Sequence, residues 1–215
     1  AIDLCINLQQ NSFALALAHR LRSERVKDPR AWLISTRVFE ALSMHEEMIG
    51  TLKKGIEEFP DDIALHMALA YRLEQSGEWR EAVSVADAVY PRLTDDPDIA
   101  NFIGYVLADN NEQLDRAFGL IQKAMAADSG NPAYIDSLAW VFYRKGCIDE
   151  AYNLIKTALA LLPDDPVVIE HFVRISIKRG DSDEAHRVLD EALIRFPDNH
   201  SLRESRMLFN SEENE

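Results

Sequence analysis

Residues 144–166, RKGCIDEAYNLIKTALALLPDDP, recur 34 positions later as residues 178–200, KRGDSDEAHRVLDEALIRFPDNH. The matched residues are of kinds that end a helix or let two helices approach closely: Gly146 and Gly180, Ala151 and Ala185, Ala158 and Ala192, Pro163 and Pro197. Glycine favours the left-handed residue after a helix, and proline stops a helix. A fixed period of this length indicates an array of structural repeats.

The same period continues toward the N-terminus. Ala117 and Ala124 stand one period before the quoted alanines, Ala82 lies 35 residues before Ala117, and Met48 and Ala14 occupy the earlier equivalent positions. The series therefore runs through nearly the whole chain, and each period has room for two amphipathic helices.

We predict the first helix of each pair near 30–42, 62–76, 96–109, 131–145 and 165–179, and the second near 45–58, 79–92, 113–127, 148–161 and 182–195. The repeats themselves are predicted at 30–61, 62–95, 96–130, 131–164 and 165–198, with a partial N-terminal repeat at 1–27 and a C-terminal capping helix at 199–209. No Gly- or Ser-rich linker interrupts the series, so the sequence predicts a single domain over 1–215.

The composition limits the kinds of partner. The chain is 47% hydrophobic, which is enough to bury a core, and its formal net charge of −14 repels phosphate backbones and anionic membrane surfaces. A basic or neutral protein partner is compatible with that charge, although an acidic surface also serves solubility. Cys5 and Cys147 form no CxxC motif, and no run of 18 apolar residues is present. The sequence predicts no nucleic-acid partner, no transmembrane segment, no metal and no cofactor.

At this point the residues carry a family likeness. Three first helices carry a large–small pair followed by an apolar or aromatic residue: Leu69-Ala70 and Leu73, Ile103-Gly104 and Leu107, and Leu138-Ala139 and Phe142. In the first repeat, Trp32 is the large residue and Phe39 is the aromatic one. With the later Ala…Ala…Pro series, this resembles the tetratricopeptide repeat. The resemblance implies an all-α solenoid, a right-handed superhelix of stacked antiparallel helix pairs that acts as a protein-binding adaptor. Repeat 30–61 departs most, with Thr36 and Met48 at positions where Gly or Ala is usual, and with Gly55 at the position of the later Ala124, Ala158 and Ala192.

A narrower likeness lies in residues 101–151, NFIGYVLADNNEQLDRAFGLIQKAMAADSGNPAYIDSLAWVFYRKGCIDEA. This stretch resembles a segment of large bacterial tetratricopeptide proteins, many of them envelope lipoproteins that act as adaptors, including partners of carboxy-terminal processing proteases. The likeness implies a Gram-negative source and a periplasmic or envelope location, with the cytoplasm as the alternative. Because the chain opens without Met on a helical pattern, we expect it to be a fragment of a longer protein.

The binding surface is predicted from helical geometry. At about 100° per residue, Trp140 lies far round its helix from the core-facing positions. Tyr105 and Tyr71 hold the equivalent positions in the two preceding repeats, and Arg37 and Arg174 hold them in the first and last. In tetratricopeptide arrays this register faces the concave side, so the resemblance implies an aromatic ladder in a groove. The alternative is that these rings pack between adjacent repeats, or that a neighbouring helix fills the groove.

Polar side chains are predicted to flank that ladder. One turn earlier on each helix come Met67, Asn101, Asp136 and Glu170, and Asp109 and Arg144 are expected at the groove's edge. Asn101 would bond a peptide backbone, while Asp136 and Glu170 would pair with basic side chains. The Lys–Asn pair with which chaperone-binding relatives hold a terminal carboxylate has no counterpart here.

Catalytic patterns are missing from the sequence. His45-Glu46-Glu47-Met48-Ile49 lacks the second His of a zinc-protease motif, and no GxSxG, GxGxxG or Walker-type motif occurs. We therefore predict a non-catalytic scaffold. Two alternatives remain open: an assembly scaffold that binds copies of itself, and the regulatory part of an enzyme whose catalytic domain is absent.

Overall fold

A computed structural model describes residues 11–23, 28–93 and 96–212 of the chain, and within these ranges it is all-α, with no β-strand. Residues 1–94 and residues 95–215 form two compact units. The first unit contains α1 (Asn11–Ser23), α2 (Pro29–Ala41), α3 (His45–Glu58), α4 (Ile63–Gln75), α5 (Trp79–Val89) and a 3₁₀ turn (Tyr90–Leu93). The second contains α6 (Pro97–Asp109), α7 (Leu114–Ala127), α8 (Pro132–Arg144), α9 (Ile148–Leu161), α10 (Pro166–Arg179), α11 (Ser182–Arg195) and α12 (His200–Glu212).

The helices lie where the period of the sequence places them. All five first helices begin and end within one residue of the prediction, and α12 occupies the place of the predicted closing helix. The predicted second helix 79–92 is wrong at its end, because the α-helix stops at Val89 and a 3₁₀ turn follows. Pro91 has no amide hydrogen to continue the α-helical bonding. Of the predicted N-terminal pair, residues 1–10 and 24–27 lie outside the described part, and the single array remains a prediction.

Side-chain caps fix the starts of the first helices of the pairs. The carboxylates of Asp62, Asp96 and Asp165 and the amide of Asn131 accept hydrogen bonds from the first backbone amides of α4, α6, α10 and α8. These bonds satisfy amides that have no partner within the helix. The prolines that open α6, α8 and α10 already hold the helical φ angle.

In the first unit, the repeat that departs most from the family pattern is nevertheless well packed. Met48 and Gly55 on α3 are both buried. A Cβ at Gly55 would lie 3.1 Å from Cγ of Trp32 on α2 and 3.2 Å from Cδ2 of Leu65 on α4. The glycine therefore makes room for the indole that stands at the large position of this repeat.

In the second unit each helix pair packs on the next. α8 contacts α6 and α7 on one side and α9 and α10 on the other, and α12 packs against α10 and α11. Ala139, Ala151 and Ala158 are fully buried where α8 and α9 meet, as the repeat pattern predicts. The order α6, α8, α10 brings side chains of three successive first helices to one surface.

Candidate functional site

The predicted site residues fall in both units. In the first unit, Arg37 on α2 and Tyr71 on α4 are exposed, and Met67 is partly buried. Tyr71 leaves 45% of its surface accessible to solvent. Arg37 and Tyr71 are therefore accessible to solvent, and their predicted part in binding stays a prediction.

In the second unit, six of the predicted residues meet in one cleft of about 280 Å³. We call it the groove cleft, and its walls and floor include Tyr105, Trp140, Arg144, Val167, Glu170 and Arg174. Asp109, His171 and residues at the start of α12 also line it. Sequence reasoning expected Asp109 and Arg144 at the edge of this groove, and both lie there.

The prediction that the Trp140 ring stands open in the groove is wrong. Trp140 is only 2% exposed. Its ring stacks on His171 of α10, with centroids 3.9 Å apart, and on Tyr143 of its own helix, with centroids 4.8 Å apart. The indole Nε1 also donates to Asp109 Oδ1 at 3.1 Å. Because the next repeat places a flat ring on the indole, Trp140 forms the floor of the cleft.

Asp136 is also placed differently from its prediction. It was expected to pair with a basic side chain of a partner, but it is 5% exposed and accepts a hydrogen bond from Nδ1 of His171 at 2.9 Å. The basic group that it pairs with belongs to its own chain. Asp136 therefore holds the floor of the cleft and does not reach solvent.

His171 is a residue of the cleft that the repeat pattern did not indicate. Its only signal is a spacing of one repeat, 35 residues, from Asp136. Burial acts to lower the pKa of His171, but the charge and hydrogen bond of Asp136, with the charges of Glu170 and Asp109, outweigh burial and raise the pKa. The floor of the groove cleft therefore holds a buried imidazole whose protonated form is favoured by Asp136.

The charges on the walls are balanced within the chain. Arg174 pairs with Glu170 one turn earlier on α10, and Arg144 donates from Nη2 to the backbone oxygen of Asp109. The Arg144 guanidinium also lies over the Trp140 ring, 4.8 Å from its centroid. The cleft thus offers hydrogen-bonding groups and ring surface without a large excess of either charge.

Asn101 lies on α6 one turn before Tyr105 and is partly buried. Its Oδ1 atom is buried and has no hydrogen-bond partner in the described part of the chain. The predicted bond between this amide and a peptide backbone remains a prediction.

Metal binding and membrane insertion each require a particular arrangement of residues. Among the described residues, no group of three His, Cys, Asp or Glu side chains is placed to hold a metal ion. None of the described helices combines the length and the apolar character needed to cross a bilayer.

The succession of helix pairs, with small residues buried at equivalent positions, defines an α-helical repeat protein. Residues 142–204 match the family model for the tetratricopeptide repeat. This match, together with the all-α repeat fold, confirms the resemblance to the tetratricopeptide repeat that the sequence carries.

Relatives and solved structures agree with this assignment. The TPR repeat-containing protein PA4667 of Pseudomonas aeruginosa is 26% identical over 133 residues, which are 60% of this chain. The chain spans only about a fifth of that relative, 22% of its length.

Among solved structures, a tetratricopeptide protein of Parabacteroides merdae superposes with a TM-score of 0.80 at 11% identity, over 99% of this chain and 84% of that one. PilW, a type IV pilus biogenesis factor, gives 0.71 at 16% identity, over 94% and 93%. YrrB, a TPR protein with an unusual peptide-binding site, gives 0.58 at 14% identity, over 88% and 97%. At these identities the likeness shows the fold alone.

Proposed function

We propose that the chain is a non-catalytic adaptor that binds a polypeptide segment of a partner protein on the face formed by α6, α8 and α10. The observation that supports this most strongly is the groove cleft, where side chains of three successive first helices converge on a solvent-accessible surface. Tetratricopeptide repeats are a family of non-catalytic scaffolds that bind protein partners.

The cleft has the chemistry of a peptide site. Tyr105 is partly exposed in it, and Val167 is 48% exposed. An aromatic ring and an exposed apolar side chain supply contact area that is released from water when a segment binds. Ion-paired Arg174 and Glu170 beside them supply polar contacts.

The cleft is also built in advance of binding. Trp140, His171 and Asp136 are buried and held by ring stacking and a hydrogen bond. A site whose floor is already ordered loses less conformational entropy on binding than a mobile one. Burial of Trp140 therefore changes its role from direct contact to support, and it leaves Tyr105 and Val167 as the contacts.

The first unit contributes a surface of the same register. Tyr71, with Arg37 and Met67, is proposed as a further contact for a partner. Asn101 is proposed to hydrogen-bond the backbone of the bound segment through its amide nitrogen, because its Oδ1 atom is buried.

A binding experiment tests the proposal with a matched control. Peptides of about 12 residues would be selected by display against the whole chain, then synthesised and titrated by fluorescence anisotropy. Val167→Ser and Tyr105→Ala should each weaken binding about tenfold or more, since truncating a central contact removes 1.4 kcal/mol or more.

The control is Ile194→Ser on α11, which also removes an exposed branched side chain, 81% accessible, from a second helix. It should leave affinity unchanged. Selected peptides whose affinity is the same for the wild type, Val167→Ser and Tyr105→Ala would refute binding at the groove cleft.

A further inference from the structure

A second cleft adjoins the groove cleft at the C-terminal ends of the first helices. It measures about 420 Å³ and is lined by Asn111, Tyr143, Arg144, Gly146, Ile148 and Lys178. We call it the edge cleft. Both clefts share Arg144, and the ring stack on Trp140 separates them, because His171 lines the groove cleft and Tyr143 lines the edge cleft.

The edge cleft differs from its surroundings in charge. The chain carries 37 acidic and 23 basic side chains, yet the cleft is lined by two cations and no carboxylate. The groove cleft, by contrast, holds Asp109 and Glu170 beside its cations. An acid-free cationic surface on an acidic chain is locally complementary to a single negative group.

Neighbouring cations at the same helix ends are neutralised within the chain. Lys145 pairs with Asp115, and Arg179 pairs with Asp149 and Asp181. Lys178 is exposed and enters no ion pair among the residues that the structure describes. Its charge is therefore available to a group from outside the chain.

Arg144 has hydrogen-bonding capacity left over. Its Nη2 atom is shared with Asp109, 3.5 Å from Oδ1, and its Nε atom is buried, which leaves Nη1 as the accessible nitrogen without a hydrogen bond in the described ranges. The hydroxyl of Tyr143 and the amide of Asn111 line the same cleft. A carboxylate beside these groups would accept charge-assisted hydrogen bonds, which are stronger than neutral ones.

We infer that the polypeptide segment bound in the groove cleft carries an Asp or Glu side chain that enters the edge cleft and pairs with Arg144 and Lys178. This inference rests on the proposed function and adds one chemical requirement to the partner. The segment places an apolar residue against Val167 and Tyr105, passes Arg144, and places an acidic side chain beyond it. We assign the carboxylate to a side chain rather than to a chain terminus, because the two clefts share Arg144 and a segment bound in the groove cleft can therefore continue past the edge cleft.

The inference predicts a pattern in selected peptides. Peptides selected by display and synthesised with amidated C-termini should share an acidic residue at a fixed distance from a large apolar one. Changing that residue from Glu to Gln should weaken binding about five- to tenfold at low ionic strength, and the difference should shrink in high salt.

Variants of the chain supply the matching half of the test. Lys178→Glu should weaken binding of the acidic peptide by about the same factor and restore it toward a peptide with Lys at that position. Lys123→Glu makes the same charge change on α7 and should leave affinity unchanged. A cation at the end of α10 also stabilises the helix, so the melting temperature of Lys178→Glu is measured alongside.

The outcomes separate the two proposals. Peptides that depend on Val167 but bind equally with Glu or Gln, or equally to Lys178→Glu, overturn the acidic requirement and leave groove binding intact. Binding that needs a free C-terminal carboxylate overturns the side-chain source. Peptides indifferent to both Val167→Ser and Tyr105→Ala refute the proposed function itself.

Discussion

The imidazole of His171 lies flat on the indole of Trp140, with ring centroids 3.9 Å apart and ring planes inclined by 15°. The same imidazole donates to Asp136, so a ring contact and an ion pair join α8 to α10. A cation on the face of Trp is favourable, and the effect grows when both groups are removed from water. We therefore expect the contact between these two repeats to be stronger when the His171 side chain is protonated.

Stability of the second unit should consequently fall as the pH rises. Asp136, Glu170 and Asp109 together outweigh burial and raise the pKa of His171 above its ordinary value of 6.5. The stabilisation is thus complete below about pH 6.5 and is lost as the pH rises through the folded-state pKa. Urea midpoints followed by fluorescence from about pH 6 to 9 should decline, with Asp136→Asn reducing the decline. If His171→Gln declines as steeply as the wild type, His171 does not cause it.

Trp140 should behave as a core residue and Tyr71 as a surface residue. Trp140→Ala removes a buried ring and should cost about 3–5 kcal/mol of the free energy of unfolding. Tyr71→Ala truncates a ring that is 45% exposed and should cost about 1 kcal/mol or less. Chemical denaturation of both variants measures the difference. Equal losses of stability would contradict the burial seen at these two positions.

The helices could be predicted because their signals are local. The period is marked by glycines and prolines at helix ends and by alanines at contacts between helices. These residue types at such a spacing indicate few other structures. Asp96 and Pro97 fix the start of α6 through the capping bond and the φ angle alone. The prediction for the end of α5 was wrong because the period extends past Pro91, whereas the missing amide hydrogen of Pro91 ends the α-helix earlier.

The burial of Trp140 could not be predicted from its own helix. A helical projection predicts the direction of a side chain, and for Trp140 it predicts a direction away from the core between α8 and α9. Whether that side is open depends on what the next repeat brings, and here it brings His171. The prediction for Asp136 was wrong for the same reason, because a carboxylate is buried only where another buried group pairs with it. Both positions depend on contacts with the next repeat, which the sequence of one helix does not contain.

Gly104 and Gly119 should respond oppositely to a methyl group. A Cβ at Gly104 would lie 2.6 Å from Cγ1 of Ile121 and 3.0 Å from the backbone oxygen of Ala117, whereas Gly119 has nothing within 4 Å. Gly104→Ala should therefore overpack the contact of α6 with α7 and cost about 1–3 kcal/mol. Gly119→Ala, inside α7, should stabilise the chain by up to about 1 kcal/mol. Thermal melts of the two variants compare these effects, and a Gly104→Ala melt at or above the wild type would refute the close approach.

Tyr152 links α9 to α11 through a bond that titration can detect. Its hydroxyl donates to Glu184 Oε2 at 2.6 Å, and this bond, burial and the charges of Glu184 and Asp181 raise its pKa to about 12, against a smaller opposing effect of Arg179.

Unperturbed tyrosines ionise at about pH 10. Because the Tyr152 phenol stays protonated there, it should add no phenolate absorbance below about pH 10.5. The 295 nm titrations of the wild type and Tyr152→Phe should therefore coincide up to that pH while far-ultraviolet circular dichroism shows intact helices. Glu184→Gln keeps an acceptor but removes the charge, so its absorbance should rise earlier than that of the wild type. A wild-type excess of one phenolate over Tyr152→Phe near pH 10 would show that the hydroxyl is not held by Glu184.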